Sequence, residues 1–258
     1  YSNKSFPADF ILNNLKIQNN VIELAWQNNV KRLLFLGSSC IYPKNSIQPI
    51  KEEYLLSSPL EKTNEAYAIA KIAGIKLCEF LRTQYGFDAI SLMPTNLYGP
   101  NDNYNLENCH VLPALIRKFY EAKKNNLKSV TCWGSGKPLR EFLHSEDLGE
   151  ACVYALENWD PDALNSPKDD SGNPLFYLNA GTGIDIPIKE LANLIAGITG
   201  FKGDILWDLT KPDGTFKKLL NVSKIKSIGW ESKISLKKGI EKIIEVFPTL
   251  YEKKLIKL

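Results

Sequence analysis

The chain has 258 residues, of which 44% are hydrophobic and 24% are charged, and its formal net charge is +3. This composition is typical of a globular protein with one large core, with or without a smaller lobe. No apolar run approaches the roughly 18 residues of a membrane-spanning helix, and the charge is too small for a nucleic-acid-binding surface. We therefore expect neither a membrane nor a nucleic acid as a partner.

The cysteines and histidines argue against a disulfide framework and against a metal site. The five cysteines are odd in number and form no C-x-x-C pair, and only two histidines are present. A reducing, cytoplasmic location fits this usage best. The residues concerned are Cys40, Cys78, Cys109, Cys132, Cys152, His110 and His144.

The first half of the chain alternates between helical and strand-like patterns. The run KRLLFLG at 31–37 is short, apolar and closed by glycine, which predicts a strand buried on both faces of a parallel sheet. Residues 38–61 contain three prolines and are expected to form a loop. The other predicted elements are helices at 9–28, 64–85 and about 108–124, and strands at 88–93 and 129–133.

The second half continues the alternation with shorter elements. Ser145 is expected to cap a helix that runs to about residue 159, with Glu146 and Asp147 at the positive end of its dipole. A polar linker covers 160–174, followed by strands at 175–179 and 204–207 and helices at 188–198 and 236–246. This order predicts an α/β fold, a Rossmann-like doubly wound parallel sheet with a small C-terminal α/β substrate lobe.

Tyr67 and Lys71 form a Y-x-x-x-K pair whose spacing places both side chains on one face of the helix at 64–85. A lysine ammonium is expected to lower the pKa of a nearby phenol from its reference value of about 10, so that Tyr67 can protonate a carbonyl oxygen as a hydride arrives. Ser38 and Ser39 follow the strand at 31–37, where open α/β sheets bind ligands. The pair also occurs by chance in many helices, and the G-S-S turn gives it weight.

Four segments resemble the GDP-L-fucose synthase family of extended short-chain dehydrogenase/reductases. They are LFLGSSCIYP at 34–43, NEAYAIAKIAGIKL at 64–77, MPTNLYGP at 93–100 and WGSGKPLREFLH at 133–144. The resemblance is nearly continuous over 6–156 and thinner after residue 160, where KPDGT at 211–215 resembles a late substrate-binding loop. All extended short-chain reductases share Y-x-x-x-K. The combination of S-S-C-I-Y-P, P-T-N-L-Y-G-P and a Cys-His pair is much more specific.

The resemblance implies an activity that converts GDP-4-keto-6-deoxy-D-mannose to GDP-L-fucose. The family epimerises carbons 3 and 5 and then reduces the ketone at carbon 4 with NADPH. By the same resemblance Ser38, Tyr67 and Lys71 carry the reduction, Cys40 is the epimerising base and His110 its acid. Reference pKa values near 8.5 for a thiol and near 6.5 for an imidazole suit proton exchange at neutral pH. Without the resemblance, Cys40 would be interpreted as a small buried apolar residue and His110 as a residue at the start of a helix.

The resemblance also implies the binding residues. Those implied for NADP(H) are Ser38, Tyr67, Lys71, Pro94, Thr95, Asn96, Leu97 and His110, and those for the GDP-sugar are Lys118, Trp133, Arg140 and Asp213. Arginine can bind phosphate through two parallel hydrogen bonds. Trp133 equally suits a core position and Asp213 a turn. Phe216 and Lys217 stand where the family usually has Pro and Arg, so the contacts of that loop are expected to differ.

The chain begins at Tyr1 and has no Gly-rich turn before Lys31. The resemblance places the Gly-rich turn for the pyrophosphate, and the basic residue that selects NADPH, before Tyr1, in a missing segment of roughly 70 residues. We expect a fragment in which 1–160 is an incomplete NADP-binding domain with interspersed lobe segments and 161–258 is mainly the substrate lobe. Such a chain alone should bind the dinucleotide weakly. The resemblance further implies a homodimer that buries two long helices of each subunit.

Two alternatives stay open. The first is another NAD(P)-dependent nucleotide-sugar enzyme, such as a 4-epimerase or a 4,6-dehydratase, although a dehydratase usually has an acidic pair in the loop where Cys40 lies. The second is a catalytically silent fragment. The joint presence of Ser38, Cys40, Tyr67, Lys71 and His110 argues against it.

Overall fold

A computed structural model describes residues 5–257 as an α/β protein. The helices are α1 (Pro7–Gln27), α2 (Glu65–Tyr85), α3 (Val111–Lys124), α4 (Ser145–Asn158), α5 (Ile188–Thr199), α6 (Ser223–Ser227) and α7 (Leu236–Glu252). The strands are β1 (Leu33–Leu36), β2 (Ala89–Pro94), β3 (Asn96–Tyr98), β4 (Ser129–Trp133), β5 (Leu139–His144), β6 (Tyr177–Ala180), β7 (Asp185–Pro187), β8 (Asp204–Asp208) and β9 (Lys217–Lys218). Short 3-10 turns span Ser39–Ile41 and Glu52–Tyr54.

The predicted α/β fold with parallel strands is confirmed. Every predicted helix and strand is present, and all but the last helix lie within a few residues of their expected ends. The sequence missed β3, β5, β7, β9 and the one-turn helix α6. These elements have two to six residues, too few to show a hydrophobic period, and they depend on pairing with distant segments.

The described chain divides into two compact units. The first contains the residues up to Thr95 together with Leu148–Gly183 and Leu220–Glu231. Its sheet has the order β1-β2-β6 with all strands parallel. The central strand β2 is buried along its whole length. Since parallel strands end at one edge of a sheet, the residues that follow β1, β2 and β6 share that edge.

The expectation that β1 is buried on both faces is wrong. In the sheet formed by the described residues β1 is the edge strand, its side chains are only partly buried, and Leu36 is 37% exposed. An apolar run predicts that a segment is buried, but it does not identify the elements that pack against it. The pairing of Leu33 with Ala89 nevertheless fixes the register that places Gly37 beyond the strand end.

Helices α1 and α2 of the first unit pack closely against each other and against β1. Gln18 is 5% exposed, and its amide donates to the carbonyl of Ala70 at 2.6 Å. A Cβ atom at Gly74 would lie 2.5 Å from the nearest atom of the Phe35 ring and 3.0 Å from the Gln18 side chain. A larger residue at this position would push α2 away, so glycine is needed for the close approach. This packing holds the face of α2 that carries Tyr67 and Lys71.

Replacing Arg82 with methionine is expected to lower the free energy of unfolding by about 2–4 kcal/mol. The Arg82 side chain is 8% exposed, forms a hydrogen bond with Asp88, and lies 2.6 Å from Asp162. Methionine keeps roughly the length of the side chain, but it leaves Asp88 and Asp162 without their shared cation. Urea unfolding measures the change. Lys62→Met removes an ion pair whose lysine is 80% exposed, and should change the stability by less than about 1 kcal/mol. Equal losses of stability in the two variants would contradict a stabilising role for the buried Arg82 side chain.

The second unit comprises Asn96–Asp147, Ile184–Leu219 and Ser232–Leu258, of which the structure describes the residues up to 257. One sheet runs β3-β5-β7 with β9 beside β5, and a second pairs β4 with β8 in parallel. Its core joins α3, α5 and α7 through buried aromatic residues, among them Tyr104, Phe119 and Phe247. Residues predicted to contact substrate lie on the strands, helices and loops of this unit.

Helix α7 continues six residues beyond its predicted end at 246, through Pro248. Proline usually ends or kinks a helix because it lacks an N–H and its ring crowds the preceding turn. Here Tyr251 holds the last turn. Its ring lies 5.2 Å from that of Tyr120, and its hydroxyl donates to Glu121 at 2.8 Å. Tertiary contacts therefore override a local stop signal.

Candidate active site

The turn after β1 carries two of the predicted catalytic residues. Gly37 leaves the strand while its N–H still donates to the carbonyl of Leu92 at 2.9 Å. Ser38 has an extended backbone and caps the following 3-10 turn, with its hydroxyl accepting from the N–H of Cys40 at 3.2 Å. The serine hydroxyl and the cysteine are thus fixed in one tight turn at the carboxyl edge of the parallel sheet.

Tyr67 projects from α2 towards this turn. The Ser38 hydroxyl lies near its phenol. Burial raises the pKa of Tyr67 above its ordinary value, Cys40 raises it further, and the Ser38 hydroxyl acts in the opposite direction. The expectation that Lys71 lowers the pKa of this phenol is therefore wrong for the unliganded protein. The spacing of the pair is visible in the sequence, but the extent to which the phenol is buried is not.

The Lys71 amine is directed to the strand rather than to the phenol oxygen. It donates to the carbonyl of Leu36 at 3.0 Å and lies 4.9 Å from the centroid of the Phe35 ring and 5.9 Å from that of Tyr67. Burial lowers the pKa of Lys71. The contacts with Phe35 and the Leu36 carbonyl were not foreseen, because no local pattern links a helix residue to a strand 35 positions earlier.

A partly buried phenol with a raised pKa remains protonated at neutral pH. In that form it is a proton donor, which is what the oxygen of a ketone needs when its carbon receives a hydride. Ser38 can bind the same oxygen because its hydroxyl lies near the phenol. The three groups Ser38, Tyr67 and Lys71 therefore suit reduction of a carbonyl.

The end of β2 carries Pro94 and Thr95, which were predicted to contact the cofactor. Both are buried, and the Thr95 N–H donates to the carbonyl of Ala180 at the end of β6 at 3.0 Å. They lie at the same sheet edge as Ser38. A hydroxyl, a phenol and an ammonium gathered at this edge fit the ribose and carboxamide of a nicotinamide nucleotide, which offer hydroxyl, carbonyl and amide groups.

The remaining predicted cofactor contacts lie in the second unit. Asn96 and Leu97 begin β3, and the Asn96 amide donates to the carbonyl of Glu141 at 2.8 Å. His110 is exposed at the start of α3. Burial raises the pKa of Asp102, and the charge of His110 opposes that shift. The pairing of His110 with Cys40 stays a prediction, since the two residues belong to different units.

Lys118 and Trp133 lie together in the second unit. Trp133 ends β4 with 61% of its surface exposed, so the core position considered from sequence is wrong. The Lys118 amine lies 5.4 Å from the indole centroid and donates to the carbonyl of Thr131 at 3.0 Å. Lys211 lies 5.6 Å from the same ring and was not singled out from the sequence. An exposed indole flanked by two cations is suited to stack on an aromatic base near phosphate.

Asp213 ties two loops of the second unit together. Its carboxylate accepts from the Ser135 N–H at 2.9 Å and from the Ser135 hydroxyl at 2.6 Å, and these bonds lower the pKa of Asp213. A Cβ atom at Gly214 would lie 2.9 Å from the guanidinium of Arg140. The guanidinium also donates to the carbonyl of Leu139 at 2.7 Å. In the sequence, the small residues of W-G-S-G were the one sign that Ser135 lies in a tight turn.

The hydroxyl, phenol and ammonium at the carboxyl edge of a parallel sheet define a short-chain dehydrogenase/reductase. The profile of the NAD dependent epimerase/dehydratase family matches residues 2–166. The chain belongs to this family, on the branch formed by the GDP-L-fucose synthases.

Three proteins illustrate the similarity. GDP-L-fucose synthase 1 of Arabidopsis thaliana is 55% identical over 240 residues, which are 93% of this chain and 70% of that protein. GDP-L-fucose synthase of Escherichia coli (strain K12) is 50% identical over 246 residues, 95% of this chain and 75% of that protein. The structure of the GDP-mannoheptose C4 reductase from Campylobacter jejuni with NADP bound has a TM-score of 0.84, is 39% identical, and is matched over 96% of this chain and 79% of its own.

In the part of the chain that the structure describes, none of the helices combines the length and the apolar character that crossing a membrane would require.

Proposed function

We propose that this protein converts GDP-4-keto-6-deoxy-D-mannose to GDP-L-fucose by epimerising carbons 3 and 5 and reducing carbon 4 with NADPH. One observation carries the proposal. Cys40 lies in the same tight turn as Ser38 and close enough to Tyr67 to raise the pKa of that phenol. A carbonyl reductase needs only the serine, tyrosine and lysine, whereas a thiol beside them supplies a base for the carbons next to the ketone. The names of the relatives support the same substrate.

Cys40 and His110 are assigned to the epimerisation. Cys40 as thiolate removes the proton from carbon 3 or carbon 5, and the electron pair is held as an enolate on the oxygen at carbon 4. His110 returns a proton to the opposite face of the carbon, which inverts its configuration. Each inversion takes one proton and gives one back, so the sugar keeps its composition and no redox change occurs.

Ser38, Tyr67 and Lys71 are assigned to the reduction. NADPH, when bound, supplies the hydride that forms the new bond to carbon 4. Tyr67 donates its phenolic proton to the oxygen, since burial raises the pKa of Tyr67 and keeps the phenol protonated. Ser38 orients the oxygen, and the Lys71 ammonium stabilises the phenolate that remains.

The residues of the second unit are assigned to the GDP group. Trp133 offers its exposed face to the guanine, while Lys118 and Arg140 compensate the diphosphate charge. Asp213 positions the loop beside Arg140 through its bonds to Ser135. Residues 1–160 are then an incomplete cofactor-binding domain with interspersed substrate-lobe segments, to which Lys118, Trp133 and Arg140 belong, and 161–258 are mainly the substrate lobe. We also propose a cytoplasmic location. The odd number of cysteines supports it, and the proposed role of Cys40 needs a reduced thiol.

The activity test uses the keto sugar nucleotide in deuterated water. We expect two deuterium atoms in the sugar before NADPH is added and GDP-L-fucose afterwards. A competing function is C4 reduction without epimerisation, because the similar Campylobacter jejuni protein is a GDP-mannoheptose C4 reductase. Product without deuterium at carbons 3 and 5 would select that function, and no product would contradict the proposal.

A homodimer is also proposed, formed through α1 and α2. Ile17, Val21 and Leu24 lie on one face of α1 and are 67%, 55% and 55% exposed, and Phe80 of α2 is 58% exposed. Exposed apolar side chains at helical spacing are typical of an interface. A second copy of the chain is the expected partner, since symmetric dimers are the commonest oligomers.

Substituting Ile17 with glutamate is expected to convert the dimer to a monomer at micromolar concentration, because a charge would be buried at the interface. Light scattering measures the mass. The control is Leu164→Glu, at a position 97% exposed in the linker, which should leave the dimer intact. A monomeric unsubstituted protein, or an Ile17→Glu variant that remains dimeric, would contradict this interface.

A further inference from the structure

A buried hydrogen-bond network centres on Asn179, a residue of β6 with no exposed surface. Its side-chain N–H groups donate to the carbonyls of Ile50 at 2.9 Å and Asn221 at 3.1 Å. Its backbone N–H donates to the carboxylate of Glu52 at 2.9 Å. Both amide donors are therefore used, and the orientation of the amide is fixed because its nitrogen must face the two carbonyls.

The amide oxygen of Asn179 consequently faces Tyr42, whose phenol donates to it at 2.6 Å. Tyr42 is 3% exposed, and burial raises its pKa well above the ordinary value. This phenol remains protonated and acts as a permanent donor. A single bond thus connects the strand β6 to the residue that follows the turn carrying Cys40.

The turn is held at its two ends by different contacts. Its entry is fixed by β1, through pairing with β2 and the bond from Gly37 to Leu92. Its exit is fixed at Tyr42, two residues after Cys40. Ser38 lies close to the entry and Cys40 close to the exit. Loosening the exit should therefore displace Cys40 more than Ser38.

We propose that Asn179 is a positioning residue for epimerisation, which acts through Tyr42 to hold Cys40 beside the carbons that exchange protons. The inference rests on the proposed function, in which Cys40 is the epimerising base. It assigns to the Asn179–Tyr42 bond a role in one half of the reaction and not in the other.

Tyr42→Phe is the test, since it removes one hydroxyl and preserves the ring. Deuterium incorporation at carbons 3 and 5 should fall about 10- to 100-fold, as expected for a displacement of the order of 1 Å. The rate of reduction of the already epimerised keto sugar should stay within about twofold, because Ser38 remains held by β1. Iodoacetamide should alkylate Cys40 severalfold faster, as mapped by mass spectrometry, with buried Cys78 as the internal reference.

The matched control is Tyr177→Phe. Tyr177 is 8% exposed, and its hydroxyl lies 3.5 Å from the backbone carbonyl of Glu52 in the same cluster. This variant loses a buried hydroxyl without touching the turn, and it should leave both half-reactions and Cys40 alkylation unchanged. A Tyr42→Phe variant that slows both half-reactions equally, slows neither, or leaves the alkylation rate unchanged would overturn the inference.

Failure of the proposed function would appear in the unsubstituted protein, as an absence of both deuterium exchange and reduction. The alkylation rates of Cys40 in the unsubstituted protein and the two variants would then decide the inference. They report how the Asn179–Tyr42 bond holds the turn without requiring turnover. Faster alkylation in Tyr42→Phe alone would sustain it, and equal rates would overturn it.

Discussion

Tyr67→Phe is expected to abolish reduction at carbon 4 while leaving hydrogen exchange at carbons 3 and 5. The phenol is the proton donor for the ketone oxygen, and its loss should slow reduction by about 10²- to 10⁴-fold. Exchange depends on Cys40 and His110 and should continue. Incubation of the keto sugar in deuterated water measures exchange, and NADPH consumption measures reduction.

The expected product of the Tyr67→Phe variant is a doubly deuterated keto sugar that accumulates. Tyr85→Phe is the matched control, because Tyr85 lies at the end of the same helix and stacks on Trp26 with ring centroids 4.6 Å apart. It should reduce the substrate at the normal rate. Loss of exchange together with reduction, in a variant with unchanged circular dichroism, would contradict separate roles for the phenol and the thiol.

The catalytic pair was accessible from sequence because a helix repeats every 3.6 residues. Tyr67 and Lys71 must share a face wherever the helix lies, and Ser38 must follow a strand that ends just before Gly37. What the pattern could not give is burial. The pKa of Tyr67 is raised rather than lowered because the phenol is partly buried, and the Lys71 amine binds the carbonyl of Leu36 instead.

Long-range polar contacts were invisible for a related reason. The bond between Tyr42 and Asn179 joins residues 137 positions apart, and neither belongs to a periodic signal. The same holds for Ser135 and Asp213, which are 78 positions apart. Local patterns specify elements, whereas the contacts that position a turn depend on how strands are ordered in the sheet. The short strands β7 and β9 beside β5 were missed for this reason as well.

Cys40→Ala is expected to give the reverse of the Tyr67→Phe result. Exchange at carbons 3 and 5 should fall by about 10²- to 10⁴-fold, because alanine cannot accept a proton. Reduction of a keto sugar supplied in the epimerised form should continue, since Ser38 keeps its place at the end of β1 and Tyr67 keeps its proton.

The control for Cys40→Ala is Cys152→Ala, which removes another partly buried thiol from the first unit. Burial raises the pKa of Cys152, so its thiol is held in the unreactive form, and its loss should leave exchange unchanged. Mass spectrometry of the sugar nucleotide in deuterated water distinguishes the variants. Undiminished exchange in Cys40→Ala would exclude the thiol as the base and would leave a reductase without an epimerising residue in this turn. Loss of exchange in Cys40→Ala together with loss of reduction in Tyr67→Phe would instead show that this turn serves both reactions. Cys40 then acts on the carbons, and Ser38 and Tyr67 act on the ketone oxygen.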